Sequence, residues 1–222
     1  MSLEYWKDLI AATAVVTTVL QFLTGILICQ KIVQKGSTGD TSVFPFICGF
    51  LSCSLWLRYA FLTREQSVIL VNTIGATLQL AYIVTFYVYT INKTSVMRQF
   101  LATLLLIITS LVYAEYEKNA EKVVKVMGIM CCCVTVTFFG APLTMLFHVI
   151  RVKSSESLPF PIILASFLVS GQWFIYGILI QDTFIQIPNF LGCLLSVIQL
   201  TLFCIYPAKK ANDTNYLISH QF

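Results

Sequence analysis

Charge is scarce in this chain. Asp, Glu, Lys and Arg make up 11% of its 222 residues, against 58% hydrophobic residues. Ordinary globular domains carry roughly a quarter charged residues, so the deficit excludes a domain with a solvated surface. Histidine is scarcer still, with His148 near a predicted helix end and His220 in a polar tail. No HExxH, GxSxG or glycine-rich phosphate loop occurs, and without one the chain reads as not an enzyme. His148 reads as an interfacial side chain rather than a base. The eight cysteines, at 29, 48, 53, 131, 132, 133, 193 and 204, all fall inside apolar runs. Their spacing matches no zinc site and builds no disulfide framework, so they read as small hydrophobes, and no metal or cofactor is expected.

Long apolar runs are what the chain has instead, at a mean hydropathy of +0.83. Crossing a hydrocarbon core takes about 20 apolar residues per helix. Seven such runs are predicted, over 9–30, 44–63, 68–91, 98–114, 124–150, 160–180 and 184–206. A membrane β-barrel would show short alternating segments instead. Glu4, Lys7 and Asp8 precede the first run with no basic leader and no small-residue cleavage site, so that run is expected to be retained as a span.

An internal repeat organises the sequence. At a constant offset of 117 residues, Gly25 pairs with Pro142, Trp56 with Trp173, Tyr59 with Tyr176 and Glu65 with Asp182. Asn72 pairs with Asn189, Gly75 with Gly192 and Leu78 with Leu195 at the same offset. An aromatic, an acid, an amide and a glycine in one ungapped register indicate two copies of one unit. Phe100 to Tyr113 matches neither copy. Three spans return the chain to the opposite side, so one extra span lets the second copy run parallel to the first. The expectation is an all-α membrane fold in a 3+1+3 plan. Its parts are a first repeat (1–91), a linker helix and loop (92–123), a second repeat (124–207) and a polar tail (208–222), with a pseudo-twofold along the membrane normal.

Basic residues bias the orientation. The side of the C-terminus holds Lys31, Lys35, Lys93, Arg98, Arg151, Lys153, Lys209 and Lys210; the other holds Lys7, Arg58, Arg64, Lys118, Lys122 and Lys125. The excess predicts a cytoplasmic C-terminus. The sequons at Asn92 and Asn212 would then go unmodified.

Asn72 and Asn189 are amides in mid-span, where lipid offers no partner. They serve either helix-to-helix hydrogen bonds or a ligand on the twofold axis, and an amide that both donates and accepts suits hydroxyl groups. Trp56 and Trp173 each lie about 18 Å into a helix, in mid-bilayer rather than in an interfacial belt. Indoles beside amides suit a polyhydroxyl ring with apolar C–H faces. Pro142 predicts a kink, serving as static packing or as a hinge, and Gly25 is its weaker counterpart. Pro45 and Pro159 stand near the starts of the second and sixth spans.

Lys35-Gly36-Ser37-Thr38-Gly39-Asp40, Pro45-Phe46, Trp56-Leu57-Arg58-Tyr59, Val71-Asn72, Pro142-Leu143-Thr144, Trp173-Phe174-Ile175-Tyr176-Gly177 and Pro188-Asn189 resemble the SWEET sugar transporters (MtN3/saliva, PQ-loop), specifically the animal type. The likeness spans nearly the whole chain and lapses in the fourth helix and the tail. SWEETs are themselves an example of the parallel-repeat class, so their 3+1+3 plan is not independent support. The resemblance implies facilitative, bidirectional sugar uniport by alternating access, with no coupling ion, no cofactor and no nucleic-acid partner. It further implies that Asn72 and Asn189 bond a glucose-like sugar, that Trp173 stacks on it, and that Trp56 is a pocket residue of variable identity. A gate would close through Tyr59 and Asp182, with Tyr176 and Glu65 as the symmetric pair. Hinges would fall at Gly25, Pro45, Pro142 and Pro159, although plant members carry proline where this chain has Gly25. Plasma membrane and Golgi both stay open, as does homo-oligomer assembly.

Two other readings fit seven spans. A proton-coupled amino-acid exporter of the wider PQ-loop group would need an unpaired mid-membrane carboxylate, which the spans lack. A seven-span receptor or scaffold would show no duplication.

Overall fold

Lipid leaves a backbone polar group no partner but the chain itself, so each apolar run becomes a helix. In the computed structural model, which describes residues 3–207, the helices are α1 (Leu3–Lys35), α2 (Phe44–Thr63), α3 (Gln66–Tyr89), α4 (Lys93–Tyr116), α5 (Ala120–Thr137), α6 (Gly140–Val152), α7 (Phe160–Leu179) and α8 (Thr183–Ile205). Among the described residues seven spans are long and apolar enough to cross a membrane, with α5 and α6 forming one of them. The tail 208–222, with Lys209, Lys210, the Asn212 sequon and His220, lies outside the described residues. Below, the side on which α1 begins is the near side and the side on which it ends is the far side.

One predicted element is corrected. The fifth span is not a single helix over 124–150: it starts at Ala120 and breaks at Phe138–Phe139. Pro142 is the cause. A proline clashes with the carbonyl four residues back, here that of Phe138, and supplies no N–H to bond it. Around the break the ladder tightens, with Phe138 N–H on Thr135 O and Phe139 N–H on Val136 O. Pro188, inside α8, likewise orphans the carbonyl of Phe184, which accepts instead from the Cys132 thiol at 3.2 Å. By contrast α1 runs unbroken through Gly25.

The near-side turns repeat in three dimensions. Arg64 and Gln181, again 117 apart, both take left-handed backbone, at φ 62° and 56°. The following N–H groups close the same turn, Glu65 onto Ala60 O and Asp182 onto Gly177 O. A reversal of this kind satisfies helix-end carbonyls and sets each acid at the start of the next helix. Asp182 goes further, because its Oδ1 accepts from the N–H groups of Phe184 and Ile185 at 2.9 and 3.2 Å and caps α8.

Helices α1, α2 and α3 pack as one bundle and α5/α6, α7 and α8 as another, joined by the seams α1/α7 and α2/α5. Linker α4 leans mainly on α2, its Phe100 ring 5.9 Å from that of Phe50. On the near half a single core runs through both bundles, including Leu55, Tyr59, Ala60 and Val68 with Val123, Met127, Tyr176 and Ile185. Towards the far side it divides. Phe46, Ile47, Tyr82 and Phe86 form a core in the first bundle that takes in Val96 of α4 but nothing of the second bundle, and Leu146, Val149, Ile163 and Leu202 form one in the second alone. The bundles are fused at one end and separate at the other.

Candidate functional site: a central cavity under a symmetric closure

Tyrosine–carboxylate bonds cross the near-side seam twice. Tyr59 Oη donates to Asp182 Oδ2 at 2.8 Å, and Tyr176 Oη to Glu65 Oε2 at 2.5 Å. Both tyrosines are buried. Each stands edge-on to a tryptophan one turn earlier, Trp56 and Trp173, with centroids 5.5 Å apart. Aromatic pairs favour this T-shaped contact, which adds about 0.5–1.5 kcal/mol to simple burial.

Beneath the tyrosines the indoles cross the seam as well. Trp56 Nε1–H donates to Thr135 Oγ1 at 3.0 Å and Trp173 Nε1–H to Thr18 Oγ1 at 2.9 Å. The acceptors are aimed by their own helices, because Thr18 donates in turn to Ala14 O and Thr135 to Cys131 O. Thr18 and Thr135 are themselves 117 apart, and the repeat register was the signal that could have singled them out. A hydroxyl on an apolar helix face, bonded back to its own carbonyl, looks unremarkable until the facing helix is known. Replacing Thr18 with Val strands a buried indole N–H, and the closed state should lose about 1–3 kcal/mol. Trp173 fluorescence should shift in the valine variant and return in Thr18→Ser; an unshifted spectrum in Thr18→Val would exclude the bond.

The predicted side chains surround a cavity of about 160 Å³, lined among others by Asn72, Asn189, Trp56, Trp173, Thr18 and Ser52. None of its lining residues is charged. Asn72 Nδ2 donates to Val68 O and Asn189 Nδ2 to Ile185 O, both at 2.8 Å. One amide hydrogen on each is spent on its own helix, leaving the second and the carbonyl oxygen for a ligand. The walls therefore offer amides, the Ser52 hydroxyl and two indoles whose N–H groups are already bonded to the lining threonines.

The four proposed hinge positions lie far from these bonds, towards the far side. Pro45 occupies the first turn of α2 and Pro159 precedes α7. Gly25 faces the Tyr82 ring so closely that an added Cβ would lie 2.3 Å from it, and the Tyr82 hydroxyl donates to Phe22 O. At the equivalent place in the second bundle, Gln199 Nε2 donates to Pro142 O at 3.2 Å. There a second cavity of about 260 Å³ opens, reaching from Pro159 to Gly192. Among the described residues no cluster of His, Cys, Asp or Glu could hold a metal ion, and all eight cysteines are free.

Comparison with known proteins matches this duplicated plan. Residues 8–94 and 125–211 each match the family model "Sugar efflux transporter for intercellular exchange". The chain is 56% identical over 216 residues to the sugar transporter SWEET1 of Drosophila pseudoobscura pseudoobscura, covering 96% of each. It is 34% identical over 208 residues to the SWEET1 of Caenorhabditis elegans, covering 94% of this chain and 68% of that one. The 3.7 Å structure of a eukaryotic SWEET transporter matches with a TM-score of 0.80 at 26% identity, over 90% of this chain and 98% of that one. With seven apolar spans, two matched repeats and a 56% identical relative covered over 96% of its length, this chain belongs to the SWEET (MtN3/saliva) sugar-transporter family.

Proposed function

We propose that the protein carries a neutral, glucose-like sugar across a membrane, passively and in both directions, by alternating access. The observation that carries this reading is the central cavity, walled by paired amides and indoles, under a core fused on the near side and divided on the far side. Asn72 and Asn189 would meet the hydroxyl rim, Trp173 the apolar face, and Trp56 would set the opposite wall. The uncharged lining supports transport without a coupled proton.

Tyr59, Asp182, Tyr176 and Glu65 would form the near-side gate, and Gly25, Pro45, Pro142 and Pro159 the positions at which the far halves of the bundles move. The basic bias supports a cytoplasmic far side, in a multi-pass protein of the plasma membrane or Golgi, with homo-oligomer assembly compatible with its lipid-facing surface. The three-helix units 1–91 and 124–207 would act as rocking halves, with 92–123 as their fixed connector.

Radiolabelled uptake by reconstituted protein across a panel of hexoses and disaccharides tests the reading. Hexose flux indifferent to a pH gradient is expected, and Asn189→Ala should lower the apparent affinity about tenfold, the factor carried by one net hydrogen bond. Normal affinity in that variant would remove the site assignment, and flux driven by a pH gradient would remove the uniport.

A further inference from the structure

The two repeats share register but not packing. In the first, Tyr82 lies against Gly25 and Gln79 against Gly49, so tightly that an added Cβ would meet them at 2.3 and 2.7 Å. At the same four positions the second repeat holds Gln199, Pro142, Ser196 and Ser166. A proline ring occupies the surface that an aromatic ring would need, an amide replaces that ring, and a serine replaces the longer glutamine. The space that Tyr82 and Gln79 fill in the first bundle is left hollow in the second, as the cavity of about 260 Å³.

That hollow is uncharged, with apolar walls and a strip of polar side chains. Gln21, Ser166, Ser170, Ser196 and Gln199 line it, and Gln21 Nε2 donates to Ser166 Oγ at 3.3 Å. Ser196 is only 4% exposed, yet its hydroxyl has no hydrogen-bond partner among the described residues. A buried hydroxyl facing an opening is costly unless something fills the opening and bonds it. The location is informative too. One end of the cavity is Pro159, at the far-side start of α7, and the other is Gly192, one turn or about 4.5 Å of helix rise from Asn189.

We propose that the hollow is a second sugar subsite, an antechamber without a counterpart in the first repeat, built by the second repeat and edged by Gln21 of α1, where a neutral polyol ring docks between the far side and the central cavity. It rests on the transport reading above. Ser196, Ser170 and the amides of Gln21 and Gln199 would bond the hydroxyls, while Phe139 and the two prolines supply apolar walls.

The first repeat provides the variant that tests this. Ser166→Gly with Ser196→Gln transplants the Gly49–Gln79 packing and fills the hollow without touching the residues of the central cavity. A passive carrier must have equal Vmax/KM in both directions, so the proposal is read from how a fall in that ratio divides. Measured by zero-trans hexose uptake and efflux in cells, with tail accessibility establishing which face is the far one, far-side KM should rise about tenfold. Near-side KM should stay put while near-side Vmax falls. Ser196→Ala, which removes the hydroxyl and fills nothing, should shift far-side KM in the same direction and decides the matter should the transplant fail to fold. An unchanged far-side KM, or equal KM rises on both faces, overturns the antechamber and leaves a hydrated void. A wild-type protein that moves no sugar overturns the transport reading itself, a separate result.

Discussion

Replacing Tyr59 and Tyr176 together with Phe should open the near side. Each hydroxyl bonds a carboxylate of the opposite repeat, and a bond to a charged group is worth about 1.5–3 kcal/mol. Losing both shifts the balance of near-closed and near-open states by a factor on the order of 100 or more. Single variants should fall between, because the two bonds are separate and related by symmetry. Paired distance probes at Gln66 and Thr183, exposed equivalents in the two repeats, should move apart in the double variant. Asp182→Asn should weaken the closure as well, because Oδ2 accepts from Tyr59 while Oδ1 caps α8, and an amide with one oxygen can fill only one of these roles. Probes that stay at the wild-type distance in the double variant would show that closure rests on the fused apolar core alone.

Gly25→Ala should lower stability by about 1–3 kcal/mol, the usual cost of overpacking. The added Cβ would sit 2.3 Å from a Tyr82 ring that is pinned by its hydroxyl on Phe22 O, so the ring cannot simply step aside. The second repeat supplies the compensation. Gly25→Pro with Tyr82→Gln recreates the Pro142–Gln199 pair, and the double variant should be more stable than Gly25→Pro alone. Thermal unfolding in detergent closes the cycle, and simple additivity of the two changes would refute the coupling. The same pair explains why glycine here does not act as a weak proline. Its missing Cβ is what lets α1 and α3 close, whereas Pro142 breaks its own helix.

How much was legible depends on how local each feature is. The seven spans could be read because lipid demands one thing of every crossing segment, an unbroken apolar helix. The limits differ from expectation by a few residues, except at Phe138–Phe139. There the proline was visible, but not that the ladder would yield at the carbonyl it displaces rather than at the proline itself. The cross-seam partners of the indoles stayed hidden for a different reason. Thr18 and Trp173 are 155 residues apart, and many hydroxyls on apolar helices do no more than bond back to their own carbonyls.

From its sequence alone this protein was determined to be a seven-span helical bundle, with two copies of one unit in a fixed register and paired amides, indoles, tyrosines and acids at equivalent depths. These follow from continuous apolar runs and a constant offset, which any fold of the chain must respect. Only the tertiary structure decided that the near side is closed and the far side divided, that the indoles are held by threonines, and that one bundle is filled where the other is hollow. Those outcomes turn on a few contacts of about one to three kcal/mol each between residues 79 to 155 apart in sequence, and on whether a ring finds a glycine or a proline opposite it.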